Sequence, residues 1–185
     1  MHLTILSRSP AIFTTRRLVE SARARGHRAH VLDPVQIEMG LGGTRPALFY
    51  QQARLPRTDV AIPRIALSIS QYGVAVVNQM QLLGIRVLNK SDAIASSRNK
   101  MRCLQLLSSR GIGVPRTVMA SDASGLKEMV KHVGGLPVLV KLLAHSERKG
   151  LMICETLQSL EAALEAILGL GQNIVVQQYV KVARD

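Results

Sequence analysis

The sequence predicts an α/β fold in which parallel strands alternate with helical crossovers. Three observations predict it. Short apolar runs, too short for helices, recur along the chain and are separated by segments of helical period. The 185 residues are 47% apolar and 19% charged, so a core can form and a disordered polyelectrolyte is excluded. Gly, Pro and Asp stand where these runs must stop.

The elements follow in order. Residues 3–7 are the first strand. Residues 14–25 are a helix with Leu18, Val19 and Ala22 on one face, stopped by Gly26. Residues 29–33 are a second strand, halted at Asp33-Pro34, and residues 60–65 a third. Between them the segment 40–59 holds a candidate hairpin, 47–50 with 52–55. Residues 70–83 are helical, with Val74, Val77 and Leu82 expected inward, and 86–89 are a fourth strand. Strand, helix, strand, repeated, implies a parallel sheet with right-handed crossovers.

A second unit starts near Ser91. Residues 92–109 read as one helix, closed by the stretch Arg110-Gly111-Ile112-Gly113-Val114-Pro115. Residues 116–119 are a strand. Ser121 or Asp122 caps a helix that runs to His132 and ends at Gly134-Gly135. Strands over 137–143 and 151–155 precede a helix over 156–168, whose stripe is Leu157, Leu160, Ala163, Leu164 and Ile167. A β-branched strand, 173–176, leads into Gln177-Gln178-Tyr179-Val180.

Composition narrows the function classes. Lys and Arg number 24 and Asp and Glu 12, a net charge of +12. That excess suits polyanions: RNA, nucleotides or acidic polypeptides. Aromatics are 3% with no Trp, which argues against base-stacking RNA binders. No apolar run reaches the ~18 residues of a membrane span. Cys103 and Cys154 lie outside any CxxC or Cys/His cluster, so structural zinc is not expected and both are read as core residues in a reducing compartment. The N-terminus lacks the apolar stretch of a signal peptide, and a cytoplasmic location is expected.

Lys141 is the most informative single residue. It stands inside Val138-Leu139-Val140-Lys141-Leu142-Leu143, an otherwise apolar run. A lysine there snorkels to solvent, pairs with an anion or loses charge. A nucleotide phosphate is one partner; an edge strand open to water is the other reading. Lys100 lies in a basic stretch, from Arg86 to Arg116, that holds seven Lys or Arg and one acid, Asp92. It reads as part of a solvated helix face or as a second phosphate ligand. The loop 144–150 has one glycine and reads as a charged hairpin, since phosphate loops need several. His145 has no second histidine at ligand spacing, so no metal is assigned to it.

Longer motifs carry a resemblance. They are Leu6-Ser7-Arg8, Ile62-Pro63-Arg64-Ile65, Leu88-Asn89-Lys90-Ser91, the run from Arg98 to Leu107, Gly111-Ile112-Gly113-Val114-Pro115, and Val176-Gln177-Gln178-Tyr179-Val180. Together they make the sequence similar to the RimK-like ATP-grasp ligases, which add glutamate to the C-terminus of the sixth protein of the small ribosomal subunit. The resemblance implies a Rossmann-like pre-ATP-grasp domain over residues 1–90 and a partial ATP-grasp domain, the small α+β lobe, over 91–185. It implies ATP as cofactor with magnesium, an acyl phosphate on a carboxylate, and attack by an amine. Lys100 and Lys141 match the family's phosphate-binding lysines. Gln177, Gln178, Tyr179 and Val180 match the hinge whose main chain lines adenine.

Three departures shape the expectations. The family's glycine-rich loop reads Ala144-His145-Ser146-Glu147-Arg148-Lys149-Gly150-Leu151 here, with two of its three glycines replaced. Gln178 stands where the family has Glu. The resemblance stops at Asp185, before the family's magnesium ligands. No catalytic or metal-binding residue is therefore assigned. These 185 residues alone are expected to bind ATP weakly and to lack ligase turnover. The strand face around Lys141 and Val175 is expected to be open to water, so that the chain self-associates or needs a C-terminal lobe. The alternative is a non-catalytic basic module that contacts RNA, the ribosome or a partner chain.

Overall fold

The computed structural model describes residues 1–42, 46–142 and 150–181, and it divides into two compact units, Met1–Arg98 and Asn99–Asp185. The loop over 144–150, with His145, falls almost wholly outside the described residues.

The first unit opens with β1 (His2–Leu6), α1 (Phe13–Ala24) and β2 (Arg28–Leu32). Later come β6 (Val60–Pro63), α2 (Ser70–Leu82), β7 (Arg86–Val87) and α3 (Ser91–Arg98). The sheet order is β2-β1-β6-β7, and all three pairings are parallel, as the alternating pattern predicts. Leu3, Thr4, Ile5 and Leu6 are all buried, because a central parallel strand is covered on both faces. Between β2 and β6 lies a small antiparallel sheet: β3 (Ile37–Gly40), β4 (Ala47–Tyr50) and β5 (Ala53–Arg54). The hairpin expected there forms, and β3 joins it.

Helical faces shift from their expected places. On α2 the buried side is Gly73, Val76, Val77, Gln79 and Met80; Val74 is half-buried and Leu82 is 69% exposed. Leu82, in the last turn, falls on the side of the helix opposite Gly73, Val77 and Met80. On α1, Thr15 and Ala22 are buried while Leu18 and Val19 are half-buried. The core of this unit joins Leu6, Leu32, Ile37, Leu48, Ala61 and Met80.

The second unit runs α4 (Lys100–Ser108), β8 (Thr117–Ala120), α5 (Leu126–Val133), β9 (Val138–Lys141), β10 (Leu151–Cys154), α6 (Leu157–Gly169) and β11 (Ile174–Gln178). Its sheet is antiparallel in the order β10-β9-β11-β8. Val138, Val140, Cys154, Ile174 and Val176 pack with Met129 and Val133 of α5 and Leu160, Leu164 and Ile167 of α6. Leu157, expected in that stripe, is exposed at the start of α6. Cys154 is buried; Cys103 is only half-buried on α4.

Two local corrections have clear causes. The single helix expected over 92–109 is two, because Asn99 is extended at φ −86° and ψ 104°. Its side chain accepts from Arg102 N at 2.9 Å and caps α4 instead of continuing α3. Asp122 does not cap α5. Its carboxylate folds back on Ser124 N at 2.9 Å, and α5 starts after Gly125. Gly134, at φ +97°, ends α5 as expected.

Candidate nucleotide site

The site is built on the face of the second sheet that points away from α5 and α6. In β9 the side chains alternate: Val138 and Val140 enter the core, and Leu139 and Lys141 take the other face. Register places Val175 opposite Lys141 and Gln177 opposite Leu139. Gln177 is thus diagonal to Lys141, within reach of a long side chain.

A polar relay crosses three strands there. Lys141 Nζ donates to Gln177 Oε1. Gln177 Nε2 donates to Thr117 Oγ1 at 2.8 Å, and Thr117 Oγ1 donates to Pro115 O at 2.8 Å. Gln177 is 4% exposed, so its amide is fixed by these partners and in turn fixes the lysine. Thr117 is the residue that reading the sequence missed; its place opposite Gln177 on β8 follows from register.

Lys141 is held in an electrostatic conflict. Burial is the larger influence pushing its ammonium below the ordinary lysine value, and the charge of Lys100 adds to it. Lys100 is the first residue of α4 and is exposed. The first turn of α4 contains no acid, so the helix dipole, Lys100 and Arg102 all add positive potential. A polyphosphate placed near Lys100 and Lys141 relieves that repulsion.

The other expected residues fall at the end of β11. Gln178 N donates to Arg116 O at 2.8 Å, and Gln178 Oε1 accepts from Arg116 N at 3.3 Å. The amide standing in place of the family's Glu therefore clasps the neighbouring strand. Tyr179 and Val180 lie past the strand end and are exposed. Val175, expected to face water, is 2% exposed. On the same sheet face Met119, Leu151 and Ile153 are exposed, so the open apolar surface lies on β8 and β10 and spares the sheet centre. Among the described residues no group of three or more His, Cys, Asp or Glu could hold a metal ion, so these residues do not fit magnesium.

Residues 1–94 match the model of the RimK PreATP-grasp domain, and residues 97–185 match that of the RimK-like ATP-grasp domain. The chain belongs to the RimK family. Its fold is a pre-ATP-grasp domain followed by an ATP-grasp lobe. A probable alpha-L-glutamate ligase of Teredinibacter turnerae is 45% identical over 99% of this chain. The chain spans 61% of that relative's length. A RimK domain protein from Sphaerobacter thermophilus, solved by crystallography, superposes with a TM-score of 0.69 at 20% identity, covering 99% of this chain and 66% of its own. The ATP-grasp ligase PsnB, solved with a minimal precursor, Mg and ADP, superposes with a TM-score of 0.69 at 20% identity, covering 97% of this chain and 65% of its own. At such identities the solved structures establish the fold of this RimK-family chain and nothing finer. Among the described residues no helix is long and apolar enough to cross a membrane.

Proposed function

We propose that this chain carries part of the nucleotide site of an ATP-dependent ligase that joins L-glutamate to a carboxylate. The observation that carries the reading is the Lys100 and Lys141 pair, with Lys141 tethered by a buried glutamine and both charges repelling. Two cations brought together in this way suit a polyphosphate. In this reading Lys100 and Lys141 hold the phosphates of ATP, and Gln177 sets the angle of Lys141. Gln178 anchors the strand end, and Tyr179 and Val180 offer the exposed backbone edge to adenine. When bound, ATP supplies the phosphoryl group that activates the carboxylate as an acyl phosphate.

The finer assignments belong to the same proposal. The acceptor is the C-terminus of a ribosomal protein, and the reaction is cytoplasmic. The pre-ATP-grasp domain is residues 1–90 and the partial small lobe is 91–185. The magnesium ligands come from outside the residues described, on a C-terminal lobe or another chain. The names of the matched relatives and the family models support the glutamate-ligase and ATP-grasp parts of this reading.

Calorimetric titration with ATP, with and without magnesium, tests it. The 185-residue chain is expected to bind ATP weakly and with little dependence on magnesium, and Lys141→Met is expected to abolish binding. Binding that survives Lys141→Met overturns the site. A second reading, a basic module that contacts RNA, is favoured by the uneven distribution of charge along the chain.

A further inference from the structure

A separate cavity lies in the first unit, within residues 1–98. The sheet order β2-β1-β6-β7 sends the crossover after β1 to one side and the crossover after β6 to the other. Right-handed crossovers then put α1 and α2 on opposite faces. A crevice opens between the carboxyl ends of β1 and β6, where open α/β sheets take ligands. A cavity of about 380 Å³ occupies that place.

The lining of the cavity is cationic. Arg64 follows β6, Arg98 closes α3, Ser7 follows β1, and Thr14 and Thr15 stand in the first turn of α1. Among the described residues no Asp or Glu lines it. Arg98 is half-buried; its guanidinium donates from Nη1 to Ala66 O at 3.3 Å and from Nη2 to Ile65 O. Burial pushes the Arg98 guanidinium below its ordinary value, so its charge is partly stripped of water. Arg64 Nη2 donates to Thr14 Oγ1 at 3.3 Å. The hydroxyls of Ser7 and Thr15, both buried, share a hydrogen bond of 2.8 Å. Ile12, Ile65 and Ile94 contribute apolar lining to the same cavity.

We propose that this crevice binds a small carboxylate, held by Arg64 and Arg98, with its carbon chain against Ile12, Ile65 and Ile94. Guanidinium forks match carboxylate geometry, and a partly buried cation gains most from such a partner. A bare phosphate ion satisfies the arginines but leaves the isoleucine wall uncovered, which favours an organic acid. The site stands on the first unit alone and does not depend on the nucleotide reading.

Calorimetry and amide NMR on the full 185-residue chain test it, with glutarate and L-glutamate as probes and inorganic phosphate as the competing arm. Saturable binding of a carboxylate is expected, with amide shifts at Ser7, Thr14 and Ala66. Arg64 is exposed, so Arg64→Gln is expected to keep the thermal midpoint while weakening binding at least about tenfold, the loss of a charge-assisted hydrogen bond. Absence of saturable carboxylate binding overturns the proposal, as does binding of equal strength in Arg64→Gln. Tighter binding of phosphate than of either carboxylate also overturns it, by making the crevice a phosphate site. Should Arg64→Gln fail to fold, the shift map of the unaltered chain decides, and perturbations confined to residues outside the crevice overturn the assignment.

Discussion

Lys141 sits diagonal to Gln177 on β9 and β11, and the pair shows how a single cation is kept in place beside another. Its folded pKa lies below the ordinary 10.5, first by burial and then by the charge of Lys100. In the window between that lowered value and 10.5 the unfolded chain binds more protons than the folded one. Stability therefore rises with pH across that window, and the cost of the charged lysine is fully present below it. Lys100→Met removes the second cause and leaves the first. The Lys141 pKa is expected to rise part of the way back, and the alkaline gain in stability to shrink. Side-chain NMR titration of Lys141 measures the first effect and thermal unfolding against pH the second. An unchanged Lys141 titration in Lys100→Met refutes the electrostatic coupling on which the nucleotide site rests.

At the scale of an element, Asn99 separates two helices that a periodic reading joins. The residues on either side, Ser91–Arg98 and Lys100–Ser108, have acceptable helical composition. Asn99 breaks them because its amide competes for the backbone, accepting from Arg102 N. The break sets Lys100 at the first position of α4, where helix dipole and side-chain charge coincide. Asn99→Ala removes the cap and is expected to cost about 1 kcal/mol. Amide exchange in α4 is expected to accelerate, most clearly at Cys103, whose N–H bonds to Asn99 O at 2.8 Å. Exchange in α4 unchanged by Asn99→Ala shows that the cap contributes nothing. α6 offers the contrast. Thr156 and Ser159 form a reciprocal capping box at its start, and a helix start near residue 156 was legible from sequence.

Across the whole molecule, charge is unevenly distributed. Residues 1–150 carry 22 basic and 8 acidic side chains, and residues 151–185 carry 2 and 4. Positive potential thus belongs to the first unit and the stretch around Lys100. Association with RNA or ribosomes is expected, without sequence preference and falling steeply as salt rises, because phosphate neutralisation releases counterions. Filter binding to an arbitrary RNA across a salt series measures the slope. Retention that stays level from low to high salt counts against an electrostatic contact. The few aromatic side chains, 3% of the chain, leave charge as the main means of binding.

Periodicity, breakers and composition alone determined the alternation of strands and helices, the parallel sheet of the first unit and the place of Lys141 within an apolar strand. These are local properties, carried by residues a few positions apart. That the strand ends at Lys141 came from the structure. The tertiary structure decided what depends on distant partners. The inward face of α2 runs through Gly73, Val76, Val77 and Met80 because the neighbouring elements lie there, whereas period alone admits a stripe through Leu82. β3 exists because β4 pairs with it. The family resemblance makes Gln177 a hinge residue. Only the antiparallel register of β8, β9 and β11 turns its side chain into the buried link between Thr117 and Lys141, since no local pattern encodes which side chains meet across strands 36 and 60 positions apart.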